Sequence, residues 1–323
     1  MSHAQEVVEQ ILRGEVRAAA RLMRDLDDGV PGAREILKRL YPHSGRAHII
    51  GITGSPGVGK STLTDRLTQL LRQEGHTVGV VAVDPTSPFS GGAILGDRIR
   101  MQRHALDEGV FIRSLATRGH FGGLTASSRA VITVLDAMGK DYILVETVGV
   151  GQDEVEIAAT AYTTVVVTVP GMGDDIQAIK AGILEVADIL VVNKADREGA
   201  SRTQQDLLQM LELQNIRKTQ SWKPRVLLTQ AKEDQGIEEL LAGVREHQEF
   251  LGEDRGEAFK AARYQRVRQE FLELLHEGVY RTLMARLDQS GRMEELLQEI
   301  LAGKIDPYSA CEKMIAEILA VGK

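Results

Sequence analysis

Gly54-Ser55-Pro56-Gly57-Val58-Gly59-Lys60-Ser61 is a glycine-rich loop closed by Gly-Lys-Ser. It stands between a short apolar run, His48-Ile49-Ile50-Gly51-Ile52-Thr53, and an amphipathic stretch from Ser61 to Gln73 that sets Leu63, Leu67, Leu70 and Leu71 on one face. Strand, loop and helix therefore follow in the order a phosphate site needs. Glycines let consecutive backbone N–H groups turn towards one point, and the helix start adds unpaired donors and the positive end of its dipole. Phosphates of a nucleoside triphosphate are the expected ligand of Gly54, Ser55, Pro56, Gly57, Val58, Gly59, Lys60, Ser61 and Thr62. Lys60 is placed to reach the β/γ-phosphates and the Ser61 hydroxyl to bind Mg²⁺.

Working outward, strand-like runs alternate with helix-like ones: Thr77 to Val83, Val110 to Arg113, Tyr142 to Glu146, Thr163 to Val169, Ile189 to Asn193 and Arg225 to Thr229. Alternation of this kind predicts an α/β fold, a mostly parallel sheet flanked by helices, with ligands at the carboxyl ends of the strands. Residues 3 to 40 read as helical throughout, with Gly29-Val30-Pro31-Gly32 as punctuation. After Gly252, Phe259 to Leu287 carries Tyr264, Val267, Phe271, Leu274, Leu275, Val279 and Leu283 at helical spacing, a stripe that needs burial against the N-terminal helices or a second subunit. The division expected is an N-terminal helical extension over 1–45, a P-loop domain over 46–252 and a C-terminal helical dimerisation segment over 253–323.

The strand from Ile189 ends in Asn193-Lys194-Ala195-Asp196, which points to guanine. A carboxylate at Asp196 accepts from both N1–H and the exocyclic amino group of guanine, a donor pair adenine lacks, while Asn193 and Lys194 brace the loop. A second base-contacting loop is expected after the next strand, at Gln230-Ala231-Lys232, ahead of a helix opening near Gly236-Ile237. GTP and GDP are thus the expected nucleotides.

Composition narrows the classes further. With 323 residues, 43% of them hydrophobic, there is ample material for a large core, and a net charge of −7 argues against nucleic acid as the main partner. A single cysteine, Cys311, excludes an internal disulfide or a multi-cysteine metal site and is expected to be a small buried residue of a C-terminal helix. No segment reaches the roughly 18 apolar residues of a membrane span, and the polar opening lacks a signal core, so the expected compartment is cytoplasmic, with no membrane partner.

Several acids are candidates for Mg²⁺ and for sensing the γ-phosphate. Asp84 closes a strand, and Asp97, with Arg98 and Arg100, lies on a glycine-rich connection. Leu144-Val145-Glu146-Thr147-Val148-Gly149 is a hydrophobic strand ending in an acid, with Gly149 placed to bond the γ-phosphate through its N–H. Lys60, Asp97, Glu146 and Gly149 are the expected catalytic set; Ser61, Asp84, Asp97 and Glu146 are the expected metal set. Val150 stands where many small GTPases carry a water-orienting Gln, so unless Gln152, two residues on, or another group takes that role, intrinsic hydrolysis is expected to be slow and partner-stimulated. Gly171 to Lys180 forms a further candidate switch.

These segments together resemble the MeaB/ArgK family of P-loop GTPases, counterparts of the human methylmalonic aciduria type A protein. The resemblance covers nearly the whole chain and is most specific at Val83-Asp84-Pro85-Thr86-Ser87, Gly96-Asp97-Arg98-Ile99-Arg100-Met101 and Glu146-Thr147-Val148-Gly149-Val150-Gly151-Gln152. It implies a homodimer built through C-terminal helices and a GTP-dependent chaperone of an adenosylcobalamin-dependent acyl-CoA mutase, chiefly methylmalonyl-CoA mutase, that gates cofactor loading and protects or reactivates the mutase. It also implies Asp84, Asp97 and Glu146 as Mg²⁺-linked acids and 171–180 as the partner-responsive switch. Two other readings compete: an ATPase or kinase serving lysine, arginine and ornithine transport, which Asp196 opposes, and a metal-insertion GTPase, which 8 scattered histidines and one cysteine do not favour.

Overall fold

The structure is a computed structural model and describes residues 2–84, 102–104, 106–116, 126–147, 157, 159–171, 186–215, 222–252 and 256–320. Among them the chain forms two compact units, Met1–Tyr264 and Gln265–Lys323.

Seven parallel strands make one sheet in the larger unit: β1 His48–Thr53, β2 Val78–Asp84, β3 Val110–Ala116, β4 Tyr142–Thr147, β5 Thr163–Thr168, β6 Ile189–Val192 and β7 Arg225–Leu228. Their spatial order is β3-β2-β4-β1-β5-β6-β7. Runs such as Ile189-Leu190-Val191-Val192, buried on every residue, are what a parallel sheet covered on both faces requires. The α/β fold with flanking helices is therefore as expected. β1 lies at the centre, between β4 and β5, where the chain switches sides, so the loop after it opens into the crevice at the strands' carboxyl ends.

Helix α4, Lys60–Gln73, packs on β1, β2 and β4 with Leu63, Leu67 and Leu71 fully buried and Leu70 only partly so. On the sheet's other face, α5 (Ala126–Ala137) packs against α1 (His3–Leu12), α2 (Val16–Asp27) and α3 (Ala33–Leu40). Ile11, Leu22, Met23 and Leu40 share one core with Val131 and Leu135, so the N-terminal helices belong to the same hydrophobic body as the sheet. Continuous helix was expected up to the glycines near 30; the chain instead also breaks between Leu12 and Val16, where Gly14 takes φ +83°, a left-handed turn that ends α1. Two further helices flank the last strands, α6 (Ala200–Asn215) and α7 (Ile237–Leu251).

The other unit holds most of α8 (Glu257–Ser290), with α9 (Arg292–Leu301) packed against α10 (Pro307–Ala320). Its buried apolar side chains include Leu287, Leu296 and Ala310, whereas Phe271, Leu274, Leu275, Val279 and Tyr280 are exposed along α8. Cys311, expected to be buried, is exposed on α10: the two-helix pair buries too little surface to cover it. Among the described residues no helix is long and apolar enough to cross a membrane.

At the amino ends of the central strands the structure gathers histidines that are far apart in sequence. The Thr163 hydroxyl lies 2.8 Å from His48 Nε2 and 3.0 Å from His247 Nδ1, and His247 Nε2 lies 3.4 Å from Asp188. The Asp188 carboxylate accepts from the Thr164 N–H at 2.8 Å, and the Trp222 indole packs on the His247 ring at 4.8 Å. Burial, reinforced by its proximity to His247, lowers the His48 pKa to about 3. Burial lowers that of His247 to about 4 and raises that of Asp188 to about 7. Both histidines charge near pH 6.5 in the unfolded chain but not in the fold, so their contribution to stability is lost as pH falls from 6.5 towards 4. Asp188 opposes this, holding in the fold a proton that the unfolded carboxylate releases above about 4. The two histidines outweigh the one carboxylate, so from these three groups stability falls as pH drops from about 6 to 4.5. Asp188→Asn removes the opposing proton and steepens the acid-side loss. Urea unfolding followed through Trp222, the single tryptophan, checks this at several pH values; equal slopes in both proteins would refute it.

Candidate functional site

β1 delivers the glycine loop to the amino end of α4. Gly54 takes φ +135°, and a Cβ there would lie 2.0 Å from the Val167 carbonyl oxygen; Gly59, at φ +102°, would press a Cβ to 2.4 Å from Asn193 Nδ2. Only glycine fits at either position. Val58 is wholly buried and anchors the loop in the core beneath α4, while Pro56 and Gly57 are exposed and Thr62 is partly buried in the first helical turn. The Lys60 ammonium folds back over the loop, donating to the Gly54 carbonyl at 2.7 Å and the Ser55 carbonyl at 3.0 Å. A cation thus sits among backbone groups at a helix amino terminus, the electrostatic setting that suits phosphate.

Asn193 binds two loops together. Its Nδ2 donates to the Val58 carbonyl at 2.8 Å, and its Oδ1 accepts from the Thr229 hydroxyl at 3.0 Å and the Ala231 N–H at 3.1 Å. Lys194 donates to the Gly57 carbonyl at 2.7 Å and holds φ +56°, a left-handed conformation uncommon outside glycine that marks a position fixed by its surroundings. Burial, with Arg197 and Lys232 nearby, lowers the pKa of its ammonium. Asp196 is exposed on the turn that follows, Ala231 is buried, and Gln230 and Lys232 flank it. Arg66 on α4 ties the same loop down, pairing with Asp234 at 2.9 Å and donating to the Lys232 carbonyl at 3.3 Å. The phosphate loop, Asn193 to Asp196 and residues 230 to 232 are therefore one assembly.

Glu146, near the end of β4, is buried, with 4% of its surface exposed, and one carboxylate oxygen accepts from the Ser61 hydroxyl at 2.6 Å. The other lies 3.3 Å from the Thr64 hydroxyl. Thr147, next along β4, donates its hydroxyl to that of Thr53 at 3.0 Å, fixing the end of β4 to that of β1. A hydroxyl joined to a buried carboxylate is a hard-oxygen set that suits Mg²⁺, and among the described residues no group of three or more His, Cys, Asp or Glu gathers to hold a metal alone. Asp84 ends β2 two residues beyond Ala82, the register partner of Glu146. Asp97, Gly149, Val150 and all but the first residue of the 171–180 switch lie outside the described residues.

Thr64 and Arg66 were not anticipated, although Ser61 and Thr64 are three residues apart on a helix and so share a face, a spacing that offers the signal. His104 and Asp65 were also missed: they meet at 3.2 Å, both buried, and join residues 102–104 to α4.

A parallel sheet with a Gly-Lys-Ser loop at its centre and an Asn-Lys-x-Asp turn clamped to that loop defines a P-loop GTPase. Residues 20–288 match the family model described as "Methylmalonyl Co-A mutase-associated GTPase MeaB". The chain belongs to that family. A Pyrococcus abyssi protein named as a GTPase is 48% identical over 318 residues, covering 98% of this chain and 97% of its own. The GTPase ArgK of Escherichia coli is 38% identical over 245 residues, 73% of each chain. Among solved structures, one described as "Crystal structure of LAO/AO transport system kinase" superposes with a TM-score of 0.73 at 26% identity, covering 99% of both chains.

Proposed function

We propose that this GTPase serves an adenosylcobalamin-dependent acyl-CoA mutase, most directly methylmalonyl-CoA mutase, as a chaperone that uses GTP to gate cofactor loading and to protect or reactivate its client. The observation that carries the reading is the match of 20–288 to a family defined by association with that mutase. In this reading 54–62, Asn193, Lys194, Asp196 and 230–232 bind GTP, and Ser61 and Glu146, with Asp84 and Asp97, hold Mg²⁺. The ion, when bound, screens the phosphate charge; Lys60 neutralises the β/γ-phosphates, and Gly149 senses the γ-phosphate. Val150 supplies no group to orient water, so turnover is slow until the client rearranges the site. The apolar residues exposed along α8 support pairing of two copies into a homodimer.

The test is hydrolysis of GTP and ATP by the purified protein, with and without a methylmalonyl-CoA mutase. Slow, GTP-only turnover that rises several-fold with mutase is expected. A GTPase indifferent to every acyl-CoA mutase would overturn the chaperone reading. Preference for ATP would instead favour a transport-linked kinase, the role by which the similar solved structure is described.

A further inference from the structure

We infer that Thr64 is a positioning residue of the metal site, holding the Glu146 carboxylate in the orientation that serves Mg²⁺; this rests on the proposal that Glu146 and Ser61 form that site. Glu146 stands one residue before the end of β4, and its extra methylene gives the carboxylate one more rotatable bond than an aspartate has. Each of the two oxygens therefore gains from a partner of its own. Ser61 and Thr64 lie three residues apart on α4, so their hydroxyls face the same way, and each meets a different oxygen of Glu146, at 2.6 and 3.3 Å. Thr64 is wholly buried.

A hydroxyl has a single proton to donate, and Thr64 has two acceptors in reach: Glu146 Oε2 and the Lys60 carbonyl, at 3.0 Å. If Glu146 moves away, the proton returns to the Lys60 carbonyl and no buried donor is orphaned. Thr64 therefore steadies the carboxylate without locking it, and its removal penalises only the arrangement in which Glu146 is engaged.

The experiment measures release of a fluorescent GDP analogue against Mg²⁺ concentration in the full chain, alongside kcat and KM. Thr64→Val keeps the shape of the side chain and deletes the hydroxyl; Thr64→Ser keeps the hydroxyl. Partners that orient a metal ligand are worth 10- to 100-fold in metal affinity, and the longer of the two contacts here places the effect at roughly ten-fold. We expect Thr64→Val to need about that much more Mg²⁺ to slow GDP release, to lower kcat with little change in KM, and to bind GDP normally in EDTA, with Thr64→Ser close to wild type. Should Thr64→Val not fold, Thr64→Ala carries the same comparison. Wild-type release that ignores Mg²⁺ would overturn the metal assignment and this inference together. A Mg²⁺-sensitive wild type with an equally sensitive Thr64→Val, or a loss that Thr64→Ser does not rescue, would overturn this inference alone.

Discussion

Replacing Asp136 by alanine lowers the stability of the larger unit by about 3–5 kcal/mol, the summed cost of taking one shared acceptor from backbone donors, most of them buried. Asp136 sits on α5 with only 3% of its surface exposed, and its carboxylate accepts from three consecutive backbone N–H groups: Gly45 at 2.6 Å, Arg46 at 3.0 Å and Ala47 at 3.0 Å. These residues carry the chain from the N-terminal helices into β1. Alanine takes the acceptor from the buried Gly45 and Ala47 N–H groups and the part-buried Arg46 N–H, at a cost of about 1–3 kcal/mol for each that finds no water or other acceptor. Against a total of about 5–15 kcal/mol for an ordinary domain, such a loss leaves the fold marginal. Asp136→Asn retains one carbonyl acceptor but turns an amino group towards the same donors, so it recovers only part of the loss. Equilibrium urea unfolding, read by Trp222 fluorescence, measures all three proteins, and a loss below about 1 kcal/mol in Asp136→Ala would show that the turn finds its partners elsewhere.

Asp196→Ala is expected to weaken GDP binding by about 100-fold or more and to leave ADP binding unchanged. Two hydrogen bonds from guanine to a carboxylate are each worth roughly 1.5–3 kcal/mol, and solvent at this exposed turn holds the sum near the lower end. Because Asp196 is exposed, its loss leaves thermal stability as it was, which separates a binding defect from a folding one. Calorimetric titration with GDP and ADP gives both numbers. A change under three-fold in GDP affinity would mean that guanine is recognised by groups other than this carboxylate.

What the sequence made legible is local chemistry at strand ends. The Gly54–Ser61 loop and the Asn193–Asp196 turn each combine a motif with a strand before it, and the structure joins them through Asn193 and Lys194. Every predicted strand exists; β3 runs on to Ala116, three residues past the predicted end, because Ser114 to Ala116 gain pairing partners in β2, a fact of sheet order and not of periodicity. Nor does periodicity place β4 between β2 and β1. The Asp136 nest and the His48–Thr163–His247 cluster escaped notice for a related reason: each joins residues some 80 to 115 positions apart, and neither a lone aspartate nor a lone histidine announces its partner. Cys311 failed on the weakest ground, residue type alone, since its exposure depends on how little two short helices cover.

Asn193 fastens the glycine loop at Val58 to Thr229 and Ala231 with one side chain, and with GTP bound as proposed this would govern how the nucleotide comes and goes. A pocket stapled at that point does not order its two ends separately. Whichever half of a nucleotide bound there arrived first would find the other half's seat already arranged, so the entropy of ordering would be lost once rather than twice. The same staple works in reverse: a protein pressing on residues 230 to 232 would loosen the grip on phosphate without touching it, making nucleotide exchange controllable from the guanine side of the molecule.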